Sequence, residues 1–134
     1  MSSIFAKNIR EIRMIYEFVQ DDLGCETYKG EMQDLVEALN TETDFHINID
    51  GNEYRFIDAD VIDEIAVEEI KEVVQDCYLN GTDLDKLWWI EIDWEKTADN
   101  CISADGYGHH FSHYDGSEEE AVLLGSNWYI FRTN

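Results

Sequence analysis

The residues best suited to chemistry crowd into one stretch. Lys86 to Gly116 carries three of the four tryptophans, three of the four histidines and one of the three cysteines. Within it the run DGYGHHFSHYD, residues 105–115, sets His109, His110 and His113 among the glycines at 106, 108 and 116. Neutral imidazole and thiolate are ligands that zinc prefers, so Cys101, His109, His110, His113 and Asp115 form a candidate metal set. His109 and His113 would converge on one ion if their segment is helical, with Cys101 or Asp115 completing a tetrahedral shell. The spacing matches no standard zinc motif, and no HExxH glutamate base stands beside it. The glycines permit a plain flexible loop equally well, so zinc is a structural expectation here and not a catalytic one.

Other reaction templates are missing. The chain has no GxSxG elbow and no glycine-rich loop followed by Lys-Ser or Lys-Thr to cradle a phosphate. Nothing marks a cysteine as activated, and Cys25 and Cys77 read as core filler. No pair of carboxylates can be singled out from 31 acidic residues. An enzyme is not expected.

The larger signal is charge. The 134 residues hold 31 acids against 9 bases, a formal net charge of −22. Five acids and four bases precede Gly30, so nearly all the excess lies beyond it. Nucleic acids and anionic membranes are bound by bases that displace counterions, so direct binding to either is not expected. The 13% aromatic content separates the chain from disordered acidic tails, which lack aromatics. Its length suits one globular domain, residues 1–134, with a real core. No apolar run approaches 18 residues, and no signal peptide or lipidation motif is seen. Three widely spaced cysteines without a CxxC pair point to a reducing cytoplasm.

The acids are also patterned. Asp60, Glu64, Glu68 and Glu72 recur every four residues, flanked by Asp63, Glu69 and Asp76, with Lys71 alone to relieve them. Like charges at that spacing destabilise a helix by tenths of a kcal/mol per pair. A four-residue rise is about 6 Å, close to the spacing of successive phosphates on a nucleic-acid strand. The plain reading is a solvated helix face; the functional one is a row of carboxylates standing where phosphates stand.

Periodicity then supplies the elements that hold these groups. A helix capped by Ser2 or Ser3 should run to Leu23 and stop at Gly24, with Lys7, Arg10 and Arg13 as the one basic strip. A second spans about 30–40. Residues 44–58 form a hairpin about Asp50-Gly51, a type I′ turn that sets Ile47 opposite Tyr54, Phe45 opposite Phe56 and His46 opposite Arg55. That register places the large apolar residues on one face, and His46 reads as an exposed strand residue. The longest helix runs from Asp60 to Leu79, burying Val61, Ile62, Ile65, Ala66, Ile70, Val73, Val74 and Cys77. Trp88 to Trp94 alternates like a strand, so one of Trp88 and Trp89 should be core and the other a candidate partner contact. Asp93 can cap a short helix to Cys101 or Ile102. A last hairpin turns at Gly125-Ser126, with Val122 opposite Tyr129 and Leu123 opposite Trp128, preceded by the acidic run Glu118, Glu119 and Glu120. The fold class is α+β: three main helices on a small antiparallel sheet of two hairpins plus the Trp-rich strand.

Two segments carry a resemblance. Ile92-Asp93-Trp94-Glu95-Lys96-Thr97-Ala98 and the closing Trp128-Tyr129-Ile130-Phe131-Arg132 resemble the C-terminal pattern of the ArdA antirestriction proteins, and DGYGHHFSHYDGSEEE resembles a motif in small phage-encoded proteins. These cover the last third of the chain, and the histidine-rich insertion departs from the ArdA pattern. Such proteins are acidic mimics of duplex DNA that block restriction enzymes, and anti-CRISPR proteins often use the same physics. The resemblance thus implies a mobile-element inhibitor whose partner is a host defence nuclease, a restriction enzyme or a Cas effector, engaged through its basic nucleic-acid channel. The surface expected to dock comprises Asp60, Asp63, Glu64, Glu68, Glu69, Glu72, Asp76, Trp89, Glu91, Asp93, Glu118, Glu119 and Glu120. A zinc-holding interaction domain, or an acidic module for some other basic host protein, is the alternative.

Overall fold

The computed structural model describes residues 2–26, 29–78, 89 and 91–134. Its elements are α1 (Ser2–Glu17), α2 (Lys29–Thr41), β1 (Asp44–Ile49), β2 (Asn52–Asp58), α3 (Ile62–Val73), α4 (Trp94–Phe111), β3 (Glu119–Leu123) and β4 (Ser126–Arg132). Helices α1 and α3 each continue into a π-type turn, Phe18–Asp22 and Val74–Tyr78. The strands form one antiparallel sheet in the order β1-β2-β4-β3. The class is α+β, with four helices among the described residues where three main ones were expected.

The first hairpin has the register its sequence predicts, with Phe45 opposite Phe56, His46 opposite Arg55 and Ile47 opposite Tyr54. Asp50 and Gly51 both take positive φ, as a type I′ turn requires. The second hairpin does not match expectation. Leu124 and Gly125 are its turn, with φ of 52° and 79°. Leu123 therefore pairs with Ser126, Val122 with Asn127 and Ala121 with Trp128. Glu119 and Glu120 fall inside β3 instead of preceding it.

Consecutive strand residues point to opposite faces, and here consecutive residues are buried: Phe56 with Ile57, and Ile130 with Phe131. Both faces of the sheet are therefore covered. Tyr54, Phe56, Trp128 and Ile130 pack against Ile15, Phe18 and Val19 and against Leu35 and Leu39 of α2. Ile57 and Phe131 pack against Ile62, Ala66 and Ile70 of α3 and Ala98 and Phe111 of α4. Each large side chain so buried contributes roughly 1.5–3 kcal/mol. The expectation that the first hairpin keeps its large apolar residues on one face is thus corrected by Ile57, which faces α3 and α4.

Three further expectations change. Among the described residues the Trp-rich strand is not a strand: Trp89 lies in a turn, residues 91–93 are irregular, and Trp94 opens α4. Trp88 and Ile90 lie outside the described residues, as do Leu79, Asn80 and Gly81. Asp93 takes extended backbone angles and accepts from the Lys96 amide at 3.0 Å, so it serves the helix as its cap. The stripe of α3 is fully buried at Ile62, Ala66 and Ile70 and partly buried at Val61, Ile65 and Val74, while Val73 and Cys77 are exposed. Val73 ends the regular helix and Cys77 lies in the π-type turn that follows it, in which Val74 still packs against the core. Finally, α4 continues through the expected glycine loop to Phe111, kinked at Gly106, whose φ of 81° breaks the helical path.

Candidate functional site: an acidic groove between α3 and α4

On their shared face of the sheet, α3 and α4 leave an open groove of about 530 Å³. Asp63, Glu64 and Glu68 line it from α3, and Glu95 and Asp99 from α4. Ala66, Val67, Ala98 and Ile102 complete it with an apolar floor. All five carboxylates are exposed, whereas Ala66 and Ala98 are buried. The helical period explains the arrangement. Glu64 and Glu68 are one turn apart on one wall, as are Glu95 and Asp99 on the other, so each wall carries a carboxylate about every 6 Å.

Three local devices position these walls. Asp93 caps α4 and so fixes where its first turn lies. Arg55 of β2 reaches α3, donating from Nη1 and Nη2 to Glu69 at 3.0 and 2.9 Å and from Nε and Nη2 to Asp44 at 2.8 and 2.7 Å. Its guanidinium also lies 5.1 Å from the Phe111 ring centroid. Hydrogen bonding to Asp44 above all, then to Glu69, raises the Arg55 pKa against the opposing effect of burial. The third device is Tyr107, whose hydroxyl donates to Asp63 and ties α3 to the end of α4. Burial first, and Asp63 second, push that phenol's pKa up.

The sequence-predicted surface is only partly assembled. Asp63, Glu64 and Glu68 meet in the groove; Asp60, Glu72 and Asp76 are exposed on the same segment beyond it. Glu69 is bound to Arg55, Asp93 is a cap, and Glu120 accepts from Asn127 Nδ2 at 2.7 Å. Glu118 accepts from the Gly108 amide at 3.4 Å. The run of three glutamates is split by strand alternation, with Glu119 on the face of Ala121 and Leu123 and Glu120 on that of Tyr129. Trp89 is 65% exposed and Glu91 is exposed. Sequence reasoning missed Glu95 and Asp99, although their one-turn spacing behind the Asp93 cap was a usable signal.

The candidate metal residues are dispersed among other tasks. Cys101 packs at the edge of the α3–α4 core. His110 is half-buried and edge-on to Phe111 at 4.7 Å, and burial lowers its pKa despite Glu69 nearby. His109 and His113 are exposed. Asp115 accepts from Ser117 N and Oγ at 3.0 and 2.7 Å and from Ser112 Oγ at 3.1 Å. Those bonds, led by Ser117, hold its carboxyl below the ordinary range. Among the described residues no three His, Cys, Asp or Glu side chains gather to hold an ion.

Comparisons with known protein families, with characterised proteins and with solved structures find no match. Function must therefore be read from the groove itself. No helix among the described residues is long and apolar enough to cross a membrane.

Proposed function

We propose that the protein is an acidic inhibitor that occupies the basic nucleic-acid channel of a bacterial defence nuclease, a restriction enzyme or a Cas effector. The observation that carries this reading is the pair of facing acidic walls. Among the described residues, Glu64, Glu68, Glu95 and Asp99 make no ion pair, and the acidic row continues through Glu72 and Asp76. Uncompensated like charges work against folding. A basic partner would offset that repulsion, and long-range attraction would speed association. Exposed Trp89 supplies the kind of aromatic anchor that turns attraction into affinity.

The test is protection in cells. The protein is expressed in strains carrying individual restriction or CRISPR systems, and survival of targeted phage or plasmid is counted. Protection against one system, abolished by Glu64→Lys with Glu68→Lys and Glu72→Lys, is the expected result. Binding to that nuclease should weaken steeply as salt rises. No protection across a broad panel, or affinity indifferent to salt, would sink the proposal.

A further inference from the structure

We infer that the groove between α3 and α4 seats a basic amphipathic α-helix presented by the protein partner. This rests on reading the α3–α4 side as the partner-binding surface, and adds the chemistry of what enters it. Two features of the groove act together. Its rim is acidic on both walls, and its floor is apolar, with Val67 and Ile102 half-buried there. Charge that merely replaces phosphate has no use for an apolar floor. A ligand with an apolar stripe flanked on both sides by bases satisfies the whole groove.

The occupant's backbone follows from the walls. Both are helices, whose main-chain groups are paired internally, so the groove offers no strand edge. An extended peptide pressed into it would bury N–H and C=O groups without partners. A helix satisfies its own, and helix-in-groove recognition reads side chains at i, i+3, i+4 and i+7. Lysines or arginines one turn apart on such a helix match the one-turn spacing of Glu64 with Glu68 and of Glu95 with Asp99. Its apolar stripe would meet Val67 and Ile102, the half-buried residues of the floor.

The probe is a fluorescent peptide of about 18 residues, long enough to hold a helix, with leucines along one stripe and Lys and Arg on both flanks. A scrambled peptide of identical composition is the comparison, and binding to the full chain is followed by anisotropy. The patterned peptide should bind about tenfold tighter than the scramble. Val67→Glu makes the protein more acidic yet should weaken the patterned peptide about tenfold, because it puts a charge where the apolar stripe sits. Asp34→Asn with Glu37→Gln removes two exposed charges from α2, on the opposite layer, and should leave binding within about twofold. Circular dichroism checks each variant's fold. If Val67→Glu fails to fold, Ile102→Gln replaces it with the same expectation. Equal binding of the two peptides, or undiminished binding by a folded floor variant, would mean diffuse charge alone and would overturn the inference. Protection in cells with no discrimination between peptides leaves the inhibitor reading standing and refutes the helix; discrimination without protection does the reverse.

Discussion

Replacing Arg55 by methionine should unlatch the acidic helix from the sheet. The Arg55 side chain is 12% exposed, and it holds Asp44 at 29% and Glu69 at 35%. Methionine keeps most of the volume but leaves two half-buried carboxylates facing each other without a cation. Removing one partner of a fully buried pair costs about 3–5 kcal/mol. Water reaches both acids here, which lowers that figure, while loss of the guanidinium over Phe111 adds about 0.5–1 kcal/mol. The net expectation is a loss of about 2–3 kcal/mol, a large part of the roughly 5–15 kcal/mol a domain has. Urea unfolding followed by tryptophan fluorescence reads it directly. With a slope of about 1–3 kcal/mol per molar, the midpoint should fall by roughly 1–2 M at unchanged slope. Adding Asp44→Asn and Glu69→Gln to the same chain removes the stranded charges and should recover much of the loss. A single-variant loss under about 1 kcal/mol, or a triple variant no more stable than the single one, would refute the latch.

His110 offers a pH-dependent counterpart. Burial, opposed by Glu69 and assisted by Arg55, His113 and His109, holds its pKa below the ordinary 6.5. The unfolded chain then takes the proton more readily, so the stability tied to neutral His110 is full above pH 6.5 and is lost as pH falls through the folded value. His110→Gln should abolish that part of the acid sensitivity, so the stability difference between wild type and variant, flat above pH 6.5 in urea titrations, should change below it. A difference flat across the acid range would reject this. Glycine scanning gives a geometric check. A Cβ on Gly108 would stand 2.2 Å from the Gly116 carbonyl oxygen and 2.9 Å from the Ser117 carbonyl carbon, both backbone, so Gly108→Ala should cost about 1–3 kcal/mol. Gly30, in α2, meets nothing within 4 Å, so Gly30→Ala should gain roughly 0.5–1 kcal/mol. Equal effects in paired urea melts would contradict the packing described.

Much of the local structure was legible because its causes are local. Asp50-Gly51 and the alternation about it set the first hairpin, and the four-residue recurrence of Glu64 and Glu68 set one wall of the groove. The Asp93 cap was readable from its own side chain. The second hairpin was not settled in the same way. Turns at Leu124-Gly125 and at Gly125-Ser126 differ by a two-residue shift in pairing, and a shift of two leaves each side chain on its original face. Hydrophobic pattern cannot distinguish such registers. The α4 helix was read short because Gly106 and Gly108 signal a loop, whereas Gly108 lets the helix lie against the Gly116–Ser117 backbone and Phe111 buries its end.

Composition by itself determined that the chain is strongly acidic, and periodicity with turn residues determined that it is α+β. Only the tertiary structure decided which acids remain outward. Arg55, Asp44 and Glu69 come from β2, β1 and α3, and Tyr107 reaches Asp63 across 44 positions. Those partnerships depend on two helices crossing one sheet face, a geometry set by long-range burial of Ile57, Phe131, Ala66 and Ala98. The same burial brings Glu95 and Asp99 opposite Glu64 and Glu68. Spacing along a helix is a property of the chain, but which two helices face each other is a property of the core.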